Sequence, residues 1–169
     1  DDCGRHAAAR HWSPPALHAP ESVTVHEVGH QFLQGLVATD EFEEAWLDEG
    51  FNQYLEDRAV YRAYGDRSFG RRYFGGTNQR GQARGIPVIA PGVFERYGDD
   101  HREELRRHGR EDPLVRHAWE YRQTDGYYLN SYDKPALVMM TLENLLGDEA
   151  MNRVLQTWAR RYRFAHPTT

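Results

Sequence analysis

Apolar positions recur at helical spacing over four stretches of this chain. After Pro20, the set Val25, Val28, Gly29, Phe32, Leu33 and Leu36 follows the three-to-four-residue interval of one helix face. Pro20 and Glu21 suit a first turn, because proline has no N–H to lose there and a carboxylate favours the positive end of the helix dipole. The spacing predicts a helix that opens near Pro20-Glu21-Ser22 and an apolar face that runs on to Leu36. Thr39-Asp40-Glu41 interrupts the pattern. Ala45, Trp46, Phe51, Tyr54, Leu55 and Val60 then predict a second helix, reached through a short connection and stopped at Gly65. Near the end, Pro135, Leu137, Val138, Met139, Leu142, Leu145 and Leu146 predict a third, stopped at Gly147. Ala150, Met151, Val154, Leu155, Trp158, Ala159 and Tyr162 mark the core side of a fourth. These last two are expected to form a helical hairpin beneath the functional site.

The middle of the chain is punctuated rather than periodic. Gly70, Gly75, Gly76, Gly81, Gly85, Pro87, Pro91, Gly92 and Gly98 break residues 66–131 into short pieces. Ile86-Pro87-Val88-Ile89 reads as a short strand, placed at an edge by Pro87. Asp100 to Gly109 reads as a charged, exposed helix and Pro113 to Tyr121 as another short one. Residues 1–20, with His11-Trp12-Ser13-Pro14-Pro15, read as extended or looped chain. The expected fold is mainly α, with few short strands, in a single domain over 1–169.

Composition narrows the class. With 169 residues, 39% hydrophobic and 28% charged, the chain can bury one core and is too apolar for a disordered segment. The net charge of -5 gives no basic footprint for nucleic acid. Arg102, Arg106, Arg107 and Arg110 are interleaved with Glu103, Glu104, Glu111 and Asp112, as on a solvated, salt-bridged face. Cys3 is the single cysteine, so no intrachain disulfide is possible. No apolar run reaches the roughly 20 residues of a membrane span. The chain opens Asp1-Asp2-Cys3-Gly4 without Met, which reads as a piece of a longer protein and leaves compartment and oligomeric state unassigned. His6, His11 and His18 share no regular spacing and read as loop histidines.

The sharpest chemistry lies at His26-Glu27-Val28-Gly29-His30, followed after eighteen residues by Glu49. On a helix His26 and His30 are one turn apart and project from one face. Two neutral imidazoles and a carboxylate give one Zn2+ ion three protein ligands and leave a position open for water. Glu27, next to the first ligand, is placed to serve as general base. Gly29 serves either close approach of another backbone near the metal or tight helix packing. Glu56 lies two turns beyond Glu49 on the same face, and Gln53 one turn beyond; either can orient a ligand histidine from behind.

The stretch from His26-Glu27-Val28-Gly29-His30-Gln31 to Trp46-Leu47-Asp48-Glu49-Gly50-Phe51 resembles the M1 family of zinc metallopeptidases, a gluzincin family. That family carries His-Glu-x-x-His, eighteen residues, then Glu within Trp-Leu-Asn-Glu-Gly-Phe; Asp48 stands here for the usual Asn. Ser131-Tyr132-Asp133-Lys134-Pro135-Ala136 is similar to the family's Tyr-x-Lys-Gly-Ala block, with Pro135 in place of Gly. The tail from Leu146-Gly147-Asp148-Glu149 to Thr169 looks like the end of an M1 catalytic domain. The resemblance implies the helical half of a thermolysin-like catalytic domain. It implies His26, His30 and Glu49 as zinc ligands, Glu27 as general base and Tyr132 as the residue that stabilises the tetrahedral intermediate, with Tyr127 and Tyr128 as nearby competitors. It implies a peptide or protein substrate and aminopeptidase action. The family's amine-binding Gly-x-Met-Glu-Asn segment has no match in residues 1–25, so exopeptidase action is implied by family alone. The rival readings are a related gluzincin endopeptidase and a non-catalytic, zinc-stabilised interaction module.

Overall fold

The computed structural model describes residues 18–65, 67–74, 86–95, 97–108 and 112–169, the two strands by their backbone alone. The expectations for residues 1–17, including Cys3, His6 and His11, lie outside the described residues, as do Arg110, Glu111 and the glycines between 75 and 85.

The fold is mainly helical. Helix α1 spans Ala19–Gly29 and α2 spans Glu41–Ala45. A π-helical segment, Trp46–Gly50, joins α2 to α3, Phe51–Tyr64. Strands β1 (Arg67–Phe74) and β2 (Ile86–Glu95) pair antiparallel, with Tyr73 opposite Pro87. The strand expected at 86–89 is therefore present and longer, in a sheet that has two strands among the described residues. Helix α4 is Asp99–His108 and α5 is Thr124–Tyr128. A second π-helical segment, Leu129–Asp133, leads into α6, Lys134–Leu146, and α7 is Asp148–Tyr162.

The first helix is shorter than its apolar pattern predicts. It ends at Gly29, and residues 30–37 form tight turns closed by a bridge between Leu33 and Val37, both buried. The cause lies at the His26 carbonyl. The Asn52 side-chain amide donates to it at 2.7 Å, and the helical bond from the His30 N–H to the same oxygen is stretched to 3.3 Å. Val28 and Phe32, expected on the buried face, are exposed. Asp40 then restarts the chain as an N-cap, its carboxylate accepting from the Phe42 N–H at 3.0 Å.

The core is the seam of α3, α6 and α7. Tyr54, Ala136, Met139, Met140 and Met151 are buried together, with Phe51, Leu55 and Leu155 packed on them. Full burial of each large side chain contributes about 1.5–3 kcal/mol. The two terminal helices begin and end almost where the apolar pattern puts them. Gly65 and Gly147 close α3 and α6 at φ 74° and 83°, values a side chain would strain. The seam is narrower than the pattern implies: Val138, Leu145, Leu146 and Val154 are exposed, because one stripe of each helix meets its described neighbours.

Two expectations for the middle need correction. Residues 113–121 hold one 3-10 turn, Ala118–Glu120, in place of a helix. Helix α4 does carry the expected surface ion pairs, among them Arg102 with Asp99 and Arg107 with Glu104. It is not wholly exposed, however: His101 is 4% exposed, packed toward the second π segment.

Candidate metal centre

The two π segments position the chemistry. A π turn inserts one residue into a helix and re-aims the side chains around it. The first carries Glu49 and the second Tyr132, and they pack against each other. Their contact is close: a Cβ on Gly50 would stand 2.9 Å from the Ser131 carbonyl oxygen and 2.2 Å from the ring of Pro135 just beyond the second segment, so glycine alone fits there. Pro135 follows directly on the second π segment inside continuous helical backbone, and it has no N–H to return to that segment's carbonyls.

The packing of α1 on α3 brings His26, His30 and Glu49 together. Nε2 of His26 lies 3.1 Å from Oε2 of Glu49, and Nε2 of His30 lies 3.3 Å from the same oxygen. Among the described residues these three form the group able to hold a metal ion, their donor atoms within 4.8 Å of one another. Donors at 2.0–2.1 Å from a tetrahedral ion stand about 3.3 Å apart. The two His–Glu49 separations and the two-imidazole, one-carboxylate chemistry fit zinc.

Each imidazole is held from behind. Nδ1 of His26 meets Oε2 of Glu56 at 3.0 Å, and Nδ1 of His30 meets Oδ1 of Asp48 at 2.9 Å. Both Nε2 atoms are thereby directed at Glu49. Of the two residues expected behind the ligands, Glu56 is the one in contact with a histidine. Gln53 does not reach a ligand histidine; its amide donates to Asp57 at 3.3 Å. Asp48 is the orienting residue the sequence reading missed. Its one signal in the sequence was a carboxylate beside Glu49; the π turn that lets it reach His30 is seen only in the fold. Gly29 serves helix packing: a Cβ there would stand 1.9 Å from Oδ1 of Asn52, the side chain that reaches the His26 carbonyl.

The electrostatics follow from this crowding. Burial opposes charge on His26, but its bonds to Glu49 and Glu56 prevail and raise its pKa to about 9. The bond to Asp48, then that to Glu49, raises His30 to about 10. Burial pushes Glu49 up, yet His26 and His30 outweigh it and hold the carboxyl at about 2. Burial also raises Glu56, against the pull of His26.

Tyr132 lies over the ligand pair, its ring 6.0 Å from the His26 ring and nearly parallel to it. Burial and then the charge on Glu49 hold its phenol well above the usual value, so it is a proton donor at neutral pH. Tyr128 packs on Tyr132 and Tyr127 on Tyr128, so the competing phenols form a row leading away from His26. Glu27 follows His26 on α1 and is exposed to solvent. His18 is remote in role: its ring stacks on Tyr64 at 3.7 Å. A second buried group backs the site. His101 lies 2.6 Å from both Asp57 and Asp133, neighbours in sequence of Glu56 and Tyr132.

A family model described as Peptidase family M1 domain matches residues 15–169. The chain belongs to that family. Two curated relatives match most of it. Leucine aminopeptidase 2 of Ajellomyces capsulatus is 27% identical over 143 residues, 85% of this chain and 20% of the relative. Probable aminopeptidase 2 of Sulfurisphaera tokodaii is 24% identical over 148 residues, 87% of this chain and 16% of the relative. The chain therefore spans a fifth or less of these relatives' length. No solved structure matches it. Among the described residues, no helix of this M1 chain is long and apolar enough to cross a membrane.

Proposed function

We propose that this M1 domain is a zinc-dependent peptidase of aminopeptidase type. The observation that carries the reading is the convergence of His26 and His30 on one oxygen of Glu49, each imidazole backed by its own carboxylate. Such backing is the usual state of a metal-ligating histidine, whose second ring nitrogen is held by a carboxylate, carbonyl or water. The names of the two relatives support the aminopeptidase part.

His26, His30 and Glu49 would hold one zinc ion. Bound there, zinc supplies Lewis-acid polarisation of a carbonyl and a nucleophile at neutral pH. The remaining work falls to the chain. Glu27, next to His26 on α1 and exposed, takes the proton of the attacking water and returns it to the leaving amine. Tyr132, kept protonated by its burial, donates a hydrogen bond to the substrate oxygen as charge develops on it. Glu56 and Asp48 keep both ligand rings turned toward Glu49.

The test pairs metal content with a panel of free and N-acetylated peptides, using the full natural chain. Stoichiometric zinc with turnover of free peptides alone supports the reading. Equal cleavage of acetylated peptides contradicts the aminopeptidase part and favours an endopeptidase. Stoichiometric zinc without turnover contradicts catalysis and favours a zinc-stabilised interaction module.

A further inference from the structure

The buried His101 sits outside the ligand set, yet it touches the two elements that carry the chemistry. Its Nε2 lies 2.6 Å from Asp57 on α3, and its Nδ1 lies 2.6 Å from Asp133 at the end of the second π segment. Asp57 follows Glu56, which holds His26. Asp133 follows Tyr132, which covers His26. Successive residues on a helix point about 100° apart, so the His101 cluster grips an adjacent side of the turns that carry Glu56 and Tyr132.

We propose that His101 is a positioning residue, a bridge that fixes the Tyr132 turn against the helix whose Glu56 orients His26. This rests on the peptidase reading above.

Three observations carry the assignment. Both ring nitrogens meet carboxylate oxygens, and a ring that donates to two carboxylates is an imidazolium. Burial works against that charge, but Asp133 and Asp57 overcome it and raise the pKa well above the usual value. The bridge also joins elements that need it. A π turn is a rare and irregular hydrogen-bonding state, and Tyr132 must keep its height over His26 to within a fraction of an ångström. Finally, a buried ion cluster is a poor way to gain stability, since apolar packing of equal volume does as well. Its distinct contribution is to fix one register. Without the cation, Asp57 and Asp133 are left facing each other across the gap it fills, and the Tyr132 turn is pushed away from α3.

The test uses the full natural chain, zinc-loaded, with His101→Gln, Tyr132→Phe and the double variant. Glutamine carries both of its N–H donors on one nitrogen and an acceptor oxygen opposite, so it cannot place a donor at both ring-nitrogen positions. His101→Gln is expected to keep zinc stoichiometry and KM and to lose up to about 100-fold in kcat, the cost of a displacement near 1 Å. In the Tyr132→Phe background the same change is expected to cost no more than about twofold. Adding Asp133→Asn to His101→Gln restores a complementary acceptor and donor pair and is expected to recover most of kcat. Additive losses in the double variant, or an unchanged kcat in His101→Gln, overturn the assignment. If His101→Gln does not fold, Asp133→Ala alone carries the test, because it removes the acceptor that Nδ1 of His101 meets: loss of kcat at constant KM supports the bridge and unchanged kcat overturns it. Glu27→Gln reports separately on the peptidase reading. Turnover that Glu27→Gln abolishes and His101→Gln spares overturns the bridge alone, whereas a wild-type chain without turnover overturns both.

Discussion

Asp48 lies 2.9 Å from Nδ1 of His30, on the side of the ring away from Glu49. It is 3% exposed, so this bond is the environment that its charge has in place of water. Asp48→Ala removes the group that sets the ring's orientation. Zinc affinity is expected to fall about 10- to 100-fold, measured by competition with a chelating dye. Asp48→Asn keeps an acceptor oxygen and is expected to fall less.

Zinc uptake is expected to release protons. In the chelated protein His26 and His30 hold their protons to about pH 9 and 10, above the ordinary 6.5. A raised folded-state value means that the pairs stabilise the fold fully below 6.5 and cease to do so as the pH rises through 9 to 10. Glu49, lowered from 4.5 to about 2, stabilises above 4.5 and ceases to do so as the pH falls through 2. The chelated domain therefore gains most from this cluster between 4.5 and 6.5. Ligation needs neutral imidazoles, so near pH 7 each zinc should displace about two protons. Calorimetric titration in buffers of different protonation enthalpy reads this number. A proton count of zero contradicts the pairing.

Gly29→Ala sets a helix-propensity gain of about 1 kcal/mol against a collision with Asn52. The collision wins, because the Cβ would stand 1.9 Å from an Asn52 oxygen that has nowhere exposed to go. Asn52 would lose its bond to the His26 carbonyl while still buried, at a cost of about 1–3 kcal/mol. Denaturant unfolding should show a net loss, with zinc affinity falling beside it. Gly29→Ala with Asn52→Ala should recover part of both.

How much of this was readable in the chain differs by element. The terminal helices were legible because Leu, Met and Trp recur at helical spacing and Gly147 punctuates them. The triad was legible because one-turn spacing fixes His26 beside His30 whatever surrounds them. The early end of α1 was not, because it depends on Asn52, 26 residues away, competing for one carbonyl. The π turns were not legible either: a single inserted residue leaves the apolar period almost unchanged while it decides where Asp48, Glu49 and Tyr132 point. His101 was hidden among charges, and its run of Asp and Arg neighbours reads as solvated surface until the fold sets it between Asp57 and Asp133.

The central claim is that the His26, His30 and Glu49 cluster holds zinc for hydrolysis with Glu27 as base. Glu27→Gln tests it most directly, since it removes the proton acceptor and leaves every ligand and backing carboxylate in place. Zinc content and peptide turnover are measured on the same preparation of the full natural chain. The account predicts wild-type zinc stoichiometry with turnover reduced by at least about 100-fold. Turnover equal to wild type at full zinc occupancy would contradict it.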